Sequence, residues 1–198
     1  MTDGPSDSRE PTPYGAWPSP IDAETVASDG IEFGHLSVDE ETVYWREQRP
    51  QEDGRAAVVR HDGGDAVDVT PTDVNVRTLV HEYGGGDFTV SNGVVYFVNY
   101  DDQRVYRQSV DEDDSAPEPI TPEPETERGL RYADFVVGAG GEYLYCVRED
   151  HDAAAGEEGV DEPVTALVRL RTNGTENPKV VAAGHDFYAS PTISPAGD

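Results

Sequence analysis

The stretch Thr42-Val43-Tyr44-Trp45-Arg46-Glu47 indicates the fold, because two later stretches repeat its pattern. These are Val94-Val95-Tyr96-Phe97-Val98-Asn99 and Glu142-Tyr143-Leu144-Tyr145-Cys146-Val147. The aligned tyrosines, at positions 44, 96 and 145, stand 52 and 49 residues apart. Runs rich in β-branched and aromatic residues, bounded by glycine and proline, are typical of strands. The sequence therefore predicts an all-β chain built from a repeat of about 50 residues.

Each repeat contains other short strands around its tyrosine strand. A leading strand is predicted before it, two more follow, and the first two repeats end in Thr70-Pro71 and Thr121-Pro122. Four short strands in a repeat of this length are typical of a β-propeller blade. We expect a disordered tail at 1–13 and a partial β-propeller over 14–198. Its four-stranded antiparallel blades are expected at about 30–80, 86–125 and 133–184, and the start of a fourth, incomplete blade at 185–198.

The charge of the chain excludes one class of partner. Forty-one Asp and Glu against fourteen Lys and Arg give a net charge of −27, so there is no basic patch for nucleic acid. Lys179 is the only lysine. An acid-rich, lysine-poor composition with a normal aromatic content resembles that of proteins from salt-loving, haloarchaeal-type organisms, where salt screens the repulsion. The alternative is a protein that is acidic for another reason.

The sequence also predicts where the protein works. It has no apolar run long enough to span a membrane, and residues 1–10 lack the basic and apolar regions of a secretory signal. We therefore expect a cytoplasmic protein without a membrane partner. Cys146 is the only cysteine, which excludes an internal disulfide, and its apolar surroundings in sequence favour a buried structural role.

Two polar clusters contain the candidate substrate-facing residues. Arg77, His81 and Glu82 precede the run Gly84-Gly85-Gly86, and Glu149 and His151 lie in the second cluster. The first cluster either passes a crowded place near a propeller axis, which glycine permits, or faces substrate in the central tunnel. The second is either an ion pair at a blade edge or faces substrate as well. A zinc motif would need a histidine at position 85, so neither a metal nor a cofactor is predicted.

Several motifs in order resemble one family. They are Tyr14-Gly15-Ala16-Trp17-Pro18-Ser19-Pro20-Ile21, the run from Asn75 to Gly86, Val147-Arg148-Glu149-Asp150-His151, Asp186-Phe187-Tyr188-Ala189-Ser190-Pro191 and Ser194-Pro195-Ala196-Gly197-Asp198. From Tyr14 to Asp198 the chain resembles the N-terminal propeller of prolyl oligopeptidase family serine peptidases, in the dipeptidyl and acylaminoacyl peptidase branch. This resemblance implies a propeller that restricts entry to an α/β-hydrolase domain carrying the catalytic triad. It also implies, by analogy with aminodipeptidase relatives, that a carboxylate of the second cluster receives a peptide's free amino group.

The hydrolase domain itself is not predicted here. No serine lies in a Gly-x-Ser-x-Gly context, so we expect a chain truncated before the catalytic domain, with no catalytic residues of its own. The hypothesis is a substrate-gating, regulatory propeller portion of a serine peptidase. Its partners are the α/β-hydrolase domain, in cis or in trans, and a peptide substrate. The alternatives are a non-catalytic propeller-type protein-binding module and a metal-dependent propeller lactonase.

Overall fold

The described residues form three antiparallel sheets of four strands each, which confirms the prediction of an all-β partial propeller. The computed structural model describes residues 13–16, 18–28, 30–61, 63–110, 115–154 and 162–194. The predicted tail at 1–13 lies outside these residues except for Pro13. The chain divides into two compact units, Met1–Gly30, which contains helix α1 (Ala23–Ser28), and Ile31–Asp198.

The second unit contains the three blades. The first blade consists of β1 (Glu32–Asp39), β2 (Thr42–Arg49), β3 (Arg55–His61) and β4 (Val67–Asp68), with a 3-10 turn at Pro50–Glu52. The second consists of β5 (Phe88–Ser91), β6 (Val94–Val98), β7 (Val105–Ser109) and β8 (Glu118–Pro119). The third consists of β9 (Leu130–Val137), β10 (Tyr143–Asp150), β11 (Val164–Arg171) and β12 (Lys179–Ala183), with a one-turn helix α2 (His151–Ala154). In each blade the strands pair in sequence order.

The strand register repeats from blade to blade. Each tyrosine of the sequence repeat lies opposite an arginine of the next strand; the pairs are Tyr44 with Arg60, Tyr96 with Arg107, and Tyr145 with Arg169. The threonines of the Thr-Pro endings of the first two blades make the same hydrogen bond in each blade. The hydroxyl of Thr70 accepts a hydrogen bond from the backbone N–H of Val58 at 3.1 Å, and that of Thr121 accepts one from Val105 at 3.0 Å. The threonine side chain therefore extends the ladder beside a proline that cannot donate to it.

The core lies between the blades. One cluster joins the first two blades and contains Tyr44, Val58, Val76, Phe88, Val90, Val95 and Phe97. A second joins the second and third blades and contains Tyr96, Val98, Val105, Ile120, Tyr132, Leu144, Cys146, Ala166, Val168 and Leu170. Each twisted sheet buries a face against its neighbour, which is how a short antiparallel sheet becomes stable.

The first strands of the blades lie side by side. Strand β5 contacts both β1 and β9, as inner strands do around a propeller axis. The glycine run passes this place closely: a Cβ on Gly85 would lie 2.9 Å from Oδ1 of Asp134 and 3.1 Å from the Cβ of Ala133. The backbone N–H of Gly86 donates to Oδ1 of Asp134 at 2.7 Å, and Asp134 N–H donates back to the Gly86 carbonyl at 2.9 Å. A side chain at position 85 would therefore require Asp134 and Ala133 of β9 to shift.

Residues 184–194, where the start of a fourth blade is predicted, contain no strand; residues 195–198 lie outside the described part. Ser190 and Asp134 both have a left-handed backbone, with φ of 49° and 59°. Ser190 N–H donates to Oδ2 of Asp134 at 2.8 Å, which attaches the segment to β9. No second strand of a ladder lies beside it in the described residues, and Pro191 has no N–H to donate. No helix in the described part of the chain is both long and apolar enough to span a membrane.

Candidate functional site

A polar cleft brings together four of the five predicted site residues. His81 and Glu82 from the segment between the first two blades meet Glu149 at the end of β10 and His151 at the start of α2. The cleft has a volume of about 860 Å³, and its wall also contains Arg131, Glu162, Pro163, Val164, Thr165, Gly184, His185, Asp186 and Phe187. We call it the Glu149 cleft. It lies where the third blade meets the segments at 78–86 and 184–190.

Glu149 is the buried carboxylate of this cleft, with a side chain only 5% exposed. Its Oε1 accepts a hydrogen bond from the backbone N–H of His81 at 2.8 Å. Its Oε2 lies 3.4 Å from Nε2 of His151, which is a long contact. A carboxylate can accept about four hydrogen bonds. Glu149 is therefore a buried carboxyl group with unused acceptor capacity.

The imidazole of His81 lies against Glu149 and is fixed on both sides. Its Nε2 lies 3.2 Å from the carbonyl oxygen of Tyr188, which can only accept, so Nε2 carries the hydrogen of this contact. Its Nδ1 lies 2.9 Å from Oε1 of Glu149, but the oxygen is off the direction of a hydrogen bond, so Nδ1 has an ionic neighbour and no hydrogen-bond partner. The backbone is left-handed at both His81 and Glu82, with φ of 56° and 63°. Two such residues in succession are uncommon and are typical of functional segments.

The carboxylate of Glu82 forms an ion pair with an arginine. Nη1 of Arg131 donates to Oε1 of Glu82 at 2.6 Å and to the carbonyl of Leu79 at 3.1 Å. The hydrogen bond from Arg131 lowers the pKa of the Glu82 carboxyl. Because Arg131 is the one arginine in the wall and Glu82 already binds it, the charge of Glu149 has no guanidinium partner in the described cleft.

Arg77, the fifth predicted residue, lies outside the Glu149 cleft. It lines a separate small pocket with Arg46, Asp87 and Tyr83, and its guanidinium lies 5.2 Å from the centre of the Tyr100 ring. Its backbone carbonyl is held by the buried Gln103, whose amide donates to it at 3.2 Å. The structure thus separates Arg77 from the two residues that follow it in the same motif.

Charged groups beside the inner strands form a second cluster. Nε of Arg46 lies 3.0 Å from Oδ2 of Asp87, and Oδ1 of Asp87 accepts the N–H of Thr78 at 2.8 Å. Burial raises the pKa of Asp87 to about 6, although Arg46 and Arg77 favour its charged form. Burial also lowers the pKa of His35, whose ring packs edge-on against Phe88 at 5.3 Å. These groups belong to the axial region rather than to the cleft.

Several residues of the cleft carry no recognisable signal in the sequence. Arg131 is one of them, because a single arginine in a strand has no local signature. Phe187 and Asp186 stand in a motif that carried the family resemblance, and that motif was the available signal. Their place beside His81 depends on contacts across more than a hundred residues.

Among the described residues, no group of three His, Cys, Asp or Glu side chains is arranged to hold a metal ion. Cys146 is fully buried between the second and third blades, and burial raises the pKa of its thiol. A buried, protonated thiol is a poor nucleophile, so Cys146 contributes to packing.

Neither a protein-family model nor a curated protein sequence matches the chain. Solved structures do. A puromycin-hydrolyzing peptidase of Mycobacterium tuberculosis is 39% identical over 96% of this chain, with a TM-score of 0.84. A puromycin hydrolase is 31% identical over 94% of the chain with a TM-score of 0.82, and a variant of a puromycin hydrolase in complex with PGG is 30% identical with a TM-score of 0.81.

The chain spans about 30% of the length of each of these structures. The matches cover 94–96% of this chain at 30–39% identity, so the similarity includes all three blades. These peptidases are of the prolyl oligopeptidase family, whose N-terminal propeller the sequence motifs resemble. Over nearly all of its length the chain is therefore similar to the propeller portion of prolyl oligopeptidase family peptidases.

Proposed function

We propose that this chain is the substrate-gating propeller portion of a cytoplasmic serine peptidase, and that Glu149 binds the free amino group of a peptide substrate. The chemistry would take place in an α/β-hydrolase domain, in cis or in trans. The observation that carries the proposal is the buried Glu149 carboxylate, which lines a cleft and has acceptor capacity that the described residues do not use.

The physical argument rests on the cost of burying charge. A buried carboxylate is unfavourable unless cations or hydrogen-bond donors satisfy it. Glu149 receives one short backbone hydrogen bond, one long contact from His151 and a misaligned 2.9 Å contact from Nδ1 of His81, and the arginine of the cleft is bound to Glu82. An ammonium group has three donors and a positive charge, so it would satisfy both requirements. The other wall carboxylates, Glu162 and Asp186, would also favour a cation over an anion in the cleft.

The test is binding of matched peptide amides to the 198-residue chain. An alanyl-glycine amide with a free amino group should bind, and its N-acetylated form should bind much more weakly because it has no ammonium. Glu149→Gln keeps an oxygen for the His81 N–H but removes the charge. It should weaken binding of the free amine roughly tenfold to hundredfold, as expected for a hydrogen bond to a charged group.

The control is Glu142→Gln, which removes a carboxylate from an exposed position just before the same strand, β10. This variant should bind as the wild type does. Equal binding of the free and acetylated amides, or equal affinity of Glu149→Gln and wild type, would refute the role of Glu149. Titration calorimetry or ligand-detected NMR provides the measurement.

A further inference from the structure

Two arginines share the ring of one tyrosine in the loop between β6 and β7. The guanidinium carbon of Arg77 lies 5.2 Å from the centre of the Tyr100 ring, and that of Arg128 lies 4.6 Å from it, so both are within range of a cation–π contact. Arg77 is exposed and Arg128 is half-buried. In the described part of the chain, neither guanidinium forms an ion pair with a carboxylate. We call Arg77 and Arg128 the Tyr100 arginines.

The composition of the chain makes two unpaired neighbouring arginines unexpected, because 41 acidic residues stand against 14 basic ones. A similar arrangement exists at Tyr143, whose ring centre lies 4.2 Å from the guanidinium carbon of Arg169 and 4.8 Å from that of Arg171. There Arg171 forms ion pairs with Glu142 and Glu176, at 3.3 and 3.1 Å. Like charges that lie close together repel one another, so an anion would be favourable at the Tyr100 arginines, where no carboxylate balances them.

Hydrogen bonds fix the backbone that carries this cluster. Tyr100 N–H donates to the Asn75 carbonyl at 2.7 Å, and Arg77 N–H donates to the last carbonyl of β6 at 3.2 Å. Nε of Arg128 donates to the carbonyl of Asp101 at 3.2 Å, which uses one of the five N–H groups of this guanidinium. The cluster is therefore positioned before any ligand arrives, which reduces the entropy that binding must overcome.

The Tyr100 arginines are neighbours of the Glu149 cleft. The buried amide of Gln103 connects the two places, because its Nε2 donates to the Arg77 carbonyl at 3.2 Å and its Oε1 accepts the N–H of Leu79 at 2.8 Å. Arg131, in the wall of the cleft, donates to the carbonyl of the same Leu79. The Cα atoms of Arg77 and His81 are at most about 13 Å apart, since a chain extends by about 3.3 Å per residue. A peptide of three or four residues spans a similar distance.

We propose that the Tyr100 arginines bind the C-terminal carboxylate of a short peptide whose amino group lies at Glu149. The ligand class is peptides of three or four residues in which both ends are free. A guanidinium offers a carboxylate two parallel hydrogen bonds and a positive charge, and a neutral amide gains much less from it. This inference rests on the proposed function, since Glu149 places the amino end of the peptide.

The experiment compares alanyl-glycyl-glycine with its C-terminal amide, both with free amino groups, binding to the 198-residue chain. The measured quantity is the ratio of the affinity for the acid to the affinity for the amide. In the double variant Arg77→Gln with Arg128→Gln, this ratio should be roughly threefold to tenfold lower than in the wild type. Calorimetry in 1 M NaCl provides the measurement, because a Debye length of about 3 Å screens the attraction of the net charge of −27 for the more positive amide.

The matched control is the double variant Arg107→Gln with Arg169→Gln, which removes the same amount of positive charge at other positions. Arg107 forms an exposed ion pair with Glu118, and Arg169 packs on the ring of Tyr143. This variant should keep the wild-type ratio. A ratio lowered as much as in the variant of the Tyr100 arginines would be a general effect of charge and would overturn the proposal.

The other outcomes separate this inference from the proposed function. An equal ratio in the wild type and in the variant of the Tyr100 arginines overturns their role while leaving Glu149 untouched. Glu149→Gln should weaken the acid and the amide by the same factor and keep the ratio. A wild type that binds neither peptide overturns both proposals. Melting curves verify the fold of each variant; if the double variant does not fold, Arg77→Gln alone should lower the ratio, and an unchanged ratio there overturns the inference.

Discussion

At the scale of single residues, Asp87 in the axial region makes the unfolding free energy depend on pH. It is buried beside Arg46, Arg77 and Asp134, and burial outweighs the two arginines and raises its pKa to about 6. An unfolded aspartate has a pKa of about 3.9. The folded chain therefore holds the Asp87 proton more tightly than the unfolded chain does. The stabilisation linked to this proton is fully present below about pH 4 and is lost as the pH rises through 6.

We predict that Asp87→Asn reduces the dependence of the unfolding free energy on pH between pH 4 and pH 7. Between pH 4 and pH 7 the wild type should lose up to about 3 kcal/mol more unfolding free energy than the variant loses. The variant should also be less stable overall, because Arg46 loses its ionic partner. Urea unfolding at several pH values measures both effects. Glu118→Gln, at an exposed position, is the control, and parallel profiles for wild type and Asp87→Asn would contradict the shifted pKa.

At the scale of elements, a carboxylate of the first blade holds a turn of the second. Asn92 and Gly93 form the two-residue turn between β5 and β6, with φ of 51° and 70°, as the tight hairpin turn requires. Their N–H groups donate to Asp39, at the end of β1, at 3.1 and 2.7 Å. Asp39 thus acts as a cap between blades.

Replacing this cap should loosen the contact between the first two blades. Asp39→Ala should cost about 1–2 kcal/mol of unfolding free energy, similar to the loss of a helix cap. Glu41→Ala, in the exposed hairpin next to Asp39, should change stability by less than about 0.5 kcal/mol. Chemical denaturation of both variants makes the comparison. Equal effects of the two substitutions would mean that the contact from Asp39 to the turn contributes nothing.

At the scale of the whole molecule, charge repulsion sets the dependence on salt. The net charge is −27, and the Debye length grows from about 3 Å at 1 M salt to about 10 Å at 0.1 M. More carboxylates then repel one another at low salt, which favours the expanded chain.

We predict that lowering NaCl from molar to 0.1 M reduces Tm by roughly 5 °C or more, because each kcal/mol lost lowers Tm by about 2–4 °C at this chain length. Circular dichroism during heating measures the change. A variant that neutralises three exposed acids, Glu41→Gln with Asp65→Asn and Asp73→Asn, should depend less on salt. A Tm that is independent of salt in the wild type would show that the acidic composition has another origin.

The repeat in the sequence predicted the blades because strand signals are local. Alternating apolar residues, tight turns and the two Thr-Pro endings each act within a few residues, and their spacing was sufficient to predict three sheets. Strand ends were less accurate: β9 begins at Leu130, although the third blade was predicted from 133. The sequence of residues 184–194 is typical of an inner strand, but these residues form no strand. A strand also needs a neighbouring strand to pair with, and the local sequence does not show whether one is present.

The sequence by itself determined the strand repeat, the charge and the motifs that resemble the prolyl oligopeptidase family, because these depend on neighbouring residues and on composition. Only the tertiary structure decided which motif residues form a site. It places His81 in contact with Glu149, 68 positions later in the sequence, and with Phe187. It places Arg77 beside Tyr100, away from these residues. The reason is that side chains from different blades meet through the packing of whole sheets, which no pattern of neighbouring residues encodes.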